Sequence, residues 1–155
     1  MGAVIEGITV ERELEIAASP ETVWELLTDP DEATRWMGTS ATFDLRPGGT
    51  YRVEVIPGNI ARGEFVEIDP PRRLVYTWGW EAATGMALPP GSSTIEFDLA
   101  PSGEGTLLRF RHSNLPSRES AESHGHGWDH YVARLAVAAA GGDPGVDPWI
   151  DGPMS

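Results

Sequence analysis

Residues 7–17, GITVERELEIA, alternate between apolar and polar side chains. A period of two residues indicates a β-strand with one buried face and one face in water. Arg12 interrupts the apolar face, so we expect it near an end of the core. The two faces are formed by Ile8, Val10, Leu14 and Ile16 on one side and by Thr9, Glu11, Glu13 and Glu15 on the other.

Strand-like runs continue from residue 39 to about residue 114, separated mainly by short turns that are rich in Gly and Pro. Parallel strands need long crossover connections, so these short turns favour an antiparallel meander. Together with the strand at 7–17, the pattern predicts a sheet of about seven strands. The runs are TSATFDL, TYRVEVI, IARGEFVEI, RRLVYTWGW, STIEFDLA and TLLRFRHSNL.

Two short helices are predicted directly after the first strand. Ser19, Pro20 and Glu21 begin the first, because Ser is a good N-cap, Pro suits the first helical position and Glu favours the positive end of the helix dipole. Asp29-Pro30 repeats the start signal, and Gly38 ends the second helix.

The longest helical pattern covers residues 116–140 and ends at a Gly-Gly pair. Its apolar stripe contains Trp128, Tyr131, Val132, Leu135, Ala138 and Ala139. The sequence thus predicts an α+β fold in which a curved antiparallel sheet is covered by one long amphipathic helix. A strongly twisted sheet leaves space beneath such a helix, and small molecules bind in spaces of this kind.

Composition narrows the classes of function. The 155 residues suit a single domain over 1–140, followed by an acidic, Pro- and Gly-rich tail over 141–155. A net charge of −13 argues against nucleic acids and anionic membranes as partners. Cys is absent, so disulfides and thiolate metal sites are excluded. The start MGAVIEG lacks the features of a signal peptide, and no apolar run could span a membrane, so we expect a cytoplasmic protein.

Four stretches in this order resemble the START/Bet v 1-like (SRPBCC) superfamily, and more narrowly its bacterial branch named after the activator of Hsp90 ATPase. They are ASPETVWELLTDPDEATRWMG, GEFVEIDPPRRLVYTW, STIEFDLAPSGEGTLLRFRHSNLP and HGHGWDHYVARL. The resemblance implies a helix-grip fold with an internal cavity, a carrier or sensor of ligands, and a homodimer by analogy. Some relatives in the wider superfamily are cyclases or hydrolases, but no universal catalytic motif and no cofactor carry over.

The cavity wall can be predicted from strand and helix periodicity. In RRLVYTWGW the aromatic side chains occupy alternate positions, so we expect them to face the helix. In TLLRFRH the two Arg share one face, which we expect to lie in water, so His112 on the other face points inward. Plain core packing is the alternative for each of these side chains. The predicted cavity residues are Trp36, Tyr76, Trp78, Trp80, Met86, Phe97, Phe110, His112, His124, Trp128, Tyr131 and Leu135.

Three of the four histidines lie in HGHGWDH. His126 and His130 have the i, i+4 spacing of zinc ligands, but no third ligand and no general-base Glu accompany them, so no metal is expected. His124 shares the helix face of Trp128, and His112 ends the preceding strand. The two imidazoles would either orient or protonate a ligand at the cavity, or form a hydrogen-bonded structural pair.

Three functions remain open from the sequence. The first is binding of a small apolar or aromatic molecule in the cavity, without catalysis. The second is an enzyme of cyclase, dehydratase or hydrolase type that uses His112 and His124. The third is a module that interacts with a chaperone or regulator through the exposed sheet and the acidic surface.

Overall fold

A computed structural model of the protein describes residues 8–81 and 88–151. Within these residues the predicted order of elements is confirmed: a strand, two short helices, six further strands and a long helix. The strands are β1 (Ile8–Ile16), β2 (Ser40–Phe43), β3 (Thr50–Ile56), β4 (Asn59–Asp69), β5 (Arg73–Trp78), β6 (Ser93–Ser102) and β7 (Gly105–Leu115). The helices are α1 (Pro20–Thr28), α2 (Pro30–Ala33) and α3 (Arg118–Ala139), followed by a short 3₁₀ helix at Pro148–Asp151.

The sheet is antiparallel throughout, in the order β1-β7-β6-β5-β4-β3-β2. Strands β2 to β7 form the predicted meander, and β1 pairs with the last strand, with Val10 opposite His112. The curved sheet and the long helix α3 form the α+β helix-grip arrangement that the sequence predicted. No helix in the described part of the chain is long and apolar enough to cross a membrane.

The predicted helix signals act as caps. The Ser19 hydroxyl accepts a hydrogen bond from the Thr22 N–H at 3.3 Å, and the Asp29 carboxylate accepts one from the Asp31 N–H at 2.9 Å. The indole N–H of Trp36 donates to the Leu26 carbonyl at 2.8 Å. This bond fixes the segment after α2 against α1.

Helix α3 is closed at both ends. The Ser117 hydroxyl caps its start by accepting from the Ser120 N–H at 3.0 Å. At its end the Gly142 N–H donates to the Val137 carbonyl at 2.9 Å, and Gly141 adopts a φ of 90°. This is a Schellman motif, which needs a residue without a Cβ at the left-handed position.

Strand alternation places the core on the inward face of the sheet. On β7 the predicted inward set is buried, whereas Arg109 and Arg111 are exposed. Arg12, the exception on the apolar face of β1, pairs with Asp129 and so joins the first strand to helix α3. The inward set on β7 is Thr106, Leu108, Phe110 and His112.

Residues 141–151 return along helix α3 and contact it through polar groups. Arg134 donates to the Trp36 and Pro144 carbonyls, each at 3.0 Å. The buried Asp147 carboxylate accepts hydrogen bonds from Tyr131 at 2.6 Å and from His130 at 2.8 Å. The division into a domain over 1–140 and a tail over 141–155 stays a prediction.

Two glycines of α3 differ in their surroundings, and this difference predicts different effects of substitution. A Cβ at Gly127 would meet nothing within 4 Å, whereas a Cβ at Gly125 would lie 3.1 Å from Nη2 of Arg12. Gly127→Ala should raise the free energy of unfolding by about 0.5–1 kcal/mol, because alanine favours a helix. Gly125→Ala should gain less, because the Arg12 guanidinium must shift. Urea unfolding measures the two free energies of unfolding. A larger gain in stability from Gly125→Ala than from Gly127→Ala would contradict the prediction.

Candidate ligand-binding site

A small cavity of about 40 Å³ lies between the sheet and helix α3. That volume has room for a few water molecules, whereas pockets for drug-sized ligands are on the order of 300–1,000 Å³. Aromatic side chains therefore fill most of the space that the fold leaves under its helix. The wall consists of Met37, Val55, Trp78, Trp80, Ser123, His124, Gly127, Trp128 and Tyr131.

Trp78 and Trp80 are two residues apart on β5 and its extension, so they share one face of the sheet, and both are in the wall. Gly79, between them, permits close contact with the following segment, since a Cβ there would lie 1.7 Å from the Pro89 carbonyl oxygen. The backbone N–H of Trp80 donates to the Leu88 carbonyl at 2.7 Å, and this bond holds the two segments together. The Trp78 ring lies 5.4 Å from that of Trp80 and 5.2 Å from that of Trp128.

The first indole–imidazole pair joins the extension of β5 to the first half of α3. The Trp80 indole N–H donates to Nε2 of His124 at 3.0 Å. Nδ1 of His124 lies 2.8 Å from the Ser120 carbonyl oxygen. Because an indole only donates and a carbonyl only accepts, His124 must be neutral with its proton on Nδ1.

The second indole–imidazole pair joins α3 to β7. The Trp128 indole N–H donates to Nδ1 of His112 at 3.0 Å. Nε2 of His112 lies 2.8 Å from the Ser93 hydroxyl, which donates to the Trp78 carbonyl at 2.7 Å. His112 is therefore neutral with its proton on Nε2, the opposite tautomer to His124.

The two imidazoles meet, as their sequence positions suggested, with ring centroids 5.1 Å apart. His112 is 0% exposed and His124 is 8% exposed. Burial lowers the pKa of His112 to about 2, with a further contribution from His124, and burial also lowers the pKa of His124. All four ring nitrogens are hydrogen-bonded inside the protein, so neither imidazole offers a free base in this arrangement.

The third indole of the wall is different. Trp78 is 2% exposed, and its Nε1 is the buried side-chain atom without a hydrogen-bond partner among the described residues. The other two wall indoles donate to histidines, and the Tyr131 hydroxyl donates to Asp147. No Arg, Lys, Asp or Glu is among the described residues that form the wall.

The structure brings together part of the predicted cavity set. Met86 lies outside the described residues, and His112 is buried behind Trp128 without lining the cavity. Five predicted residues are buried in the core but are not in the wall, namely Trp36, Tyr76, Phe97, Phe110 and Leu135. The predicted residues in the wall are Trp78, Trp80, His124, Trp128 and Tyr131.

Four wall residues were not in the predicted set. Gly127 lies three residues after His124 and four before Tyr131, and Ser123 lies four before Gly127, so helical spacing alone could have identified both. Met37 follows α2 and Val55 lies on β3, and both are brought to the wall by the tertiary fold, which no local pattern encodes.

The remaining two histidines are not in the cavity wall and contact Trp149 of the C-terminal segment. His130 stacks on Trp149 at 3.8 Å, and His126 lies 5.4 Å from the same indole. Burial opposes the ionisation of Asp147, but hydrogen bonds from Tyr131, the Trp149 N–H and His130 outweigh it, so its pKa is lowered. Across the described residues, no group of three or more His, Cys, Asp and Glu is placed to hold a metal ion.

The outward face of the sheet carries cross-strand ion pairs. Arg109 pairs with Glu13 and Arg111 with Glu11, both at 2.8 Å. Arg73 contacts three carboxylates on neighbouring strands, those of Glu67, Glu96 and Asp98. Much of the charge on this face is therefore already paired within the chain.

Comparison with known proteins agrees with this geometry. The sequence model of the family described as "Activator of Hsp90 ATPase homolog 1-like protein" matches residues 17–140, which include most of the sheet, all three α-helices and the whole cavity wall. The chain belongs to this family. No curated protein matches the chain at a significant level.

Solved structures share the AHSA1-like fold. The AHSA1-like protein RHE_CH02687 of Rhizobium etli is 49% identical, over 93% of this chain and 89% of that chain, with a TM-score of 0.74. CalU16 of Micromonospora echinospora is 30% identical over 83% and 74% of the two chains, with a TM-score of 0.67. DynU16, described as a protein in the dynemicin biosynthetic locus, is 25% identical over 88% and 49%, with a TM-score of 0.73.

The buried histidines predict how the stability of this AHSA1-like chain depends on pH. Well above pH 6.5 both imidazoles are neutral in the folded and unfolded states, so their burial does not lower the stability there. Below pH 6.5 the unfolded chain takes up protons that the folded chain does not, so stability falls with pH. With a folded pKa of about 2, His112 alone should account for a loss of about 2 kcal/mol between pH 7.5 and pH 5.

The double variant His112→Asn/His124→Gln tests this source of the pH dependence. Asn and Gln retain acceptors near Nδ1 of His112 and Nε2 of His124 but do not titrate. Urea unfolding at pH 7.5, 6 and 5 should show a smaller loss of stability in the variant than in the natural protein. An equal loss in both proteins would assign the pH dependence to other groups.

Proposed function

We propose that this protein binds a small apolar or aromatic molecule between its sheet and helix α3, without catalysing a reaction. The observation that carries the proposal is the wall itself, in which three indoles and a phenol surround an uncharged cavity. The DynU16 relationship supports a role close to small-molecule metabolism, because that protein belongs to a biosynthetic locus.

Burial of apolar surface would supply the affinity. Each Å² of apolar surface removed from water contributes about 25 cal/mol, so a ligand that buries about 250 Å² gains about 6 kcal/mol before the cost of association. Aromatic rings add directional contacts, because offset and edge-to-face arrangements are favoured over a face-to-face stack. A flat, greasy ligand suits such a wall better than a flexible, polar one.

A ligand of this size needs more space than the cavity of about 40 Å³ provides. Met37 is the flexible member of the wall, because its unbranched side chain adopts other rotamers at low cost. We therefore expect ligand binding to displace Met37 from the space between the helix and the sheet. The indoles of Trp80 and Trp128 are held by their histidines and should move less.

The enzyme alternative receives less support. A general base or acid must reach the ligand with a free nitrogen, and the four nitrogens of His112 and His124 are all engaged. The interaction alternative would use the outward face of the sheet, where the Glu11 and Glu13 carboxylates already pair with Arg111 and Arg109.

Filling the cavity should weaken binding, and enlarging it should strengthen binding. Gly127→Leu places a side chain in open space at the wall, so the affinity for indane should fall at least tenfold. Met37→Ala removes a buried side chain and should tighten indane binding, at a cost of about 2–5 kcal/mol in stability. Trp fluorescence and isothermal titration calorimetry measure the affinities.

Ala133→Leu is the matched control, because it adds the same side chain to an exposed position of the same helix. It should leave the affinity for indane within a factor of two of the unmodified protein. The proposal fails if a panel of apolar and aromatic compounds, indane included, neither binds the protein nor binds Met37→Ala. It also fails if Gly127→Leu and Ala133→Leu have equal effects.

A further inference from the structure

One residue of the cavity wall has a polar group that forms no hydrogen bond within the described residues. The indole N–H of Trp78 is buried and without a hydrogen-bond partner. Buried donors are nearly always paired, because leaving one unpaired costs free energy that folding must offset. An unpaired donor on a residue of the cavity wall therefore indicates an acceptor that lies outside the described residues.

The position of Trp78 is fixed by its neighbours. Its backbone lies in β5, where the carbonyl accepts from the Ser93 hydroxyl at 2.7 Å. Its ring touches those of Trp80, Trp128 and Tyr51, with centroids 5.4, 5.2 and 6.0 Å away. Such packing on several sides holds the indole in place, so its N–H is oriented before a ligand enters.

The rest of the wall limits what the ligand can carry. The imine nitrogen of His124, the histidine of the wall, already accepts from the Trp80 indole, so a ligand hydroxyl cannot donate to it. The part of the wall that the structure describes contains no cationic or anionic side chain. A ligand carboxylate or ammonium would therefore lose its hydration without gaining an opposite charge.

We infer that the cavity takes a neutral, planar ligand with a carbonyl-type oxygen, and that this oxygen accepts a hydrogen bond from Nε1 of Trp78. A ketone, quinone or lactone meets these conditions, because its oxygen accepts and brings no donor. The inference rests on the proposed ligand-binding function and adds the chemical class of the ligand and the residue that selects it.

The test compares two small ring compounds that differ in a single oxygen, indane and 1-indanone. In the natural protein and in Trp78→Phe, calorimetry gives the ratio of the two dissociation constants. Because the ligands are the same in both proteins, their hydration cancels from the comparison. The preference for 1-indanone over indane should fall about 3- to 10-fold in Trp78→Phe, the range expected from one net hydrogen bond.

Trp36→Phe is the matched control, since it makes the same truncation at a buried indole outside the cavity wall. Its ratio should equal that of the natural protein. If both compounds bind and the ratio is also unchanged in Trp78→Phe, the assignment of Trp78 is overturned while ligand binding stands. If neither compound binds the natural protein, ligand binding itself is overturned and the inference with it.

A second measurement uses only the natural protein, so it does not depend on whether a variant folds. In ¹⁵N-labelled protein each of the six tryptophans gives one indole N–H signal. The Trp78 signal should move downfield on addition of 1-indanone and should move much less with indane. The Trp80 and Trp128 N–H groups stay bonded to their histidines, so their signals should not show this difference between the ligands. Equal shifts of the Trp78 signal with both compounds would overturn the inference.

Discussion

The structure depends on how tryptophans are buried between a sheet and a single covering helix. An indole provides a large apolar surface for the core, but it also brings an N–H donor that requires an acceptor. Here the acceptors are imidazoles, with Trp80 on the sheet bonded to His124 on the helix and Trp128 on the helix bonded to His112 on the sheet. These two reciprocal bonds cross the interface in opposite directions and fix the position of α3 on the extension of β5 and on β7.

The same bonds set the electrostatics of the core. A histidine that accepts from an indole must keep that nitrogen unprotonated, so His112 and His124 are held neutral as opposite tautomers. The space beside them therefore carries no charge, and two residues that look reactive in the sequence serve chiefly as hydrogen-bond acceptors. Catalysis by these groups would require breaking one of their four hydrogen bonds, whereas binding of a neutral ligand leaves all four intact.

Helix α3 is also held by contacts outside the cavity. Arg12 reaches Asp129 from the first strand, and Asp147 returns from the C-terminal segment to accept from Tyr131 and His130. Tyr131 belongs both to this contact and to the cavity wall, so the C-terminal segment supports the wall from outside. Flexibility in the site then rests with Met37, which packs through dispersion contacts and has no directional bond in its side chain.

Local patterns determined most of the fold. Alternation along the strands, Ser-Pro and Asp-Pro helix starts, and the apolar stripe around Trp128 each depend on neighbours within a few residues, so the element order and the inward faces could be read from the sequence. Which aromatic side chains line the cavity and which fill the core was decided by tertiary packing. Tyr76 and Trp78 share one strand face, yet only Trp78 reaches the wall, because Met37 and Val55 from distant segments define where the space lies. The unpaired N–H of Trp78 likewise follows only from three-dimensional proximity: nothing in the sequence distinguishes it from the other two wall indoles, which happen to meet histidines.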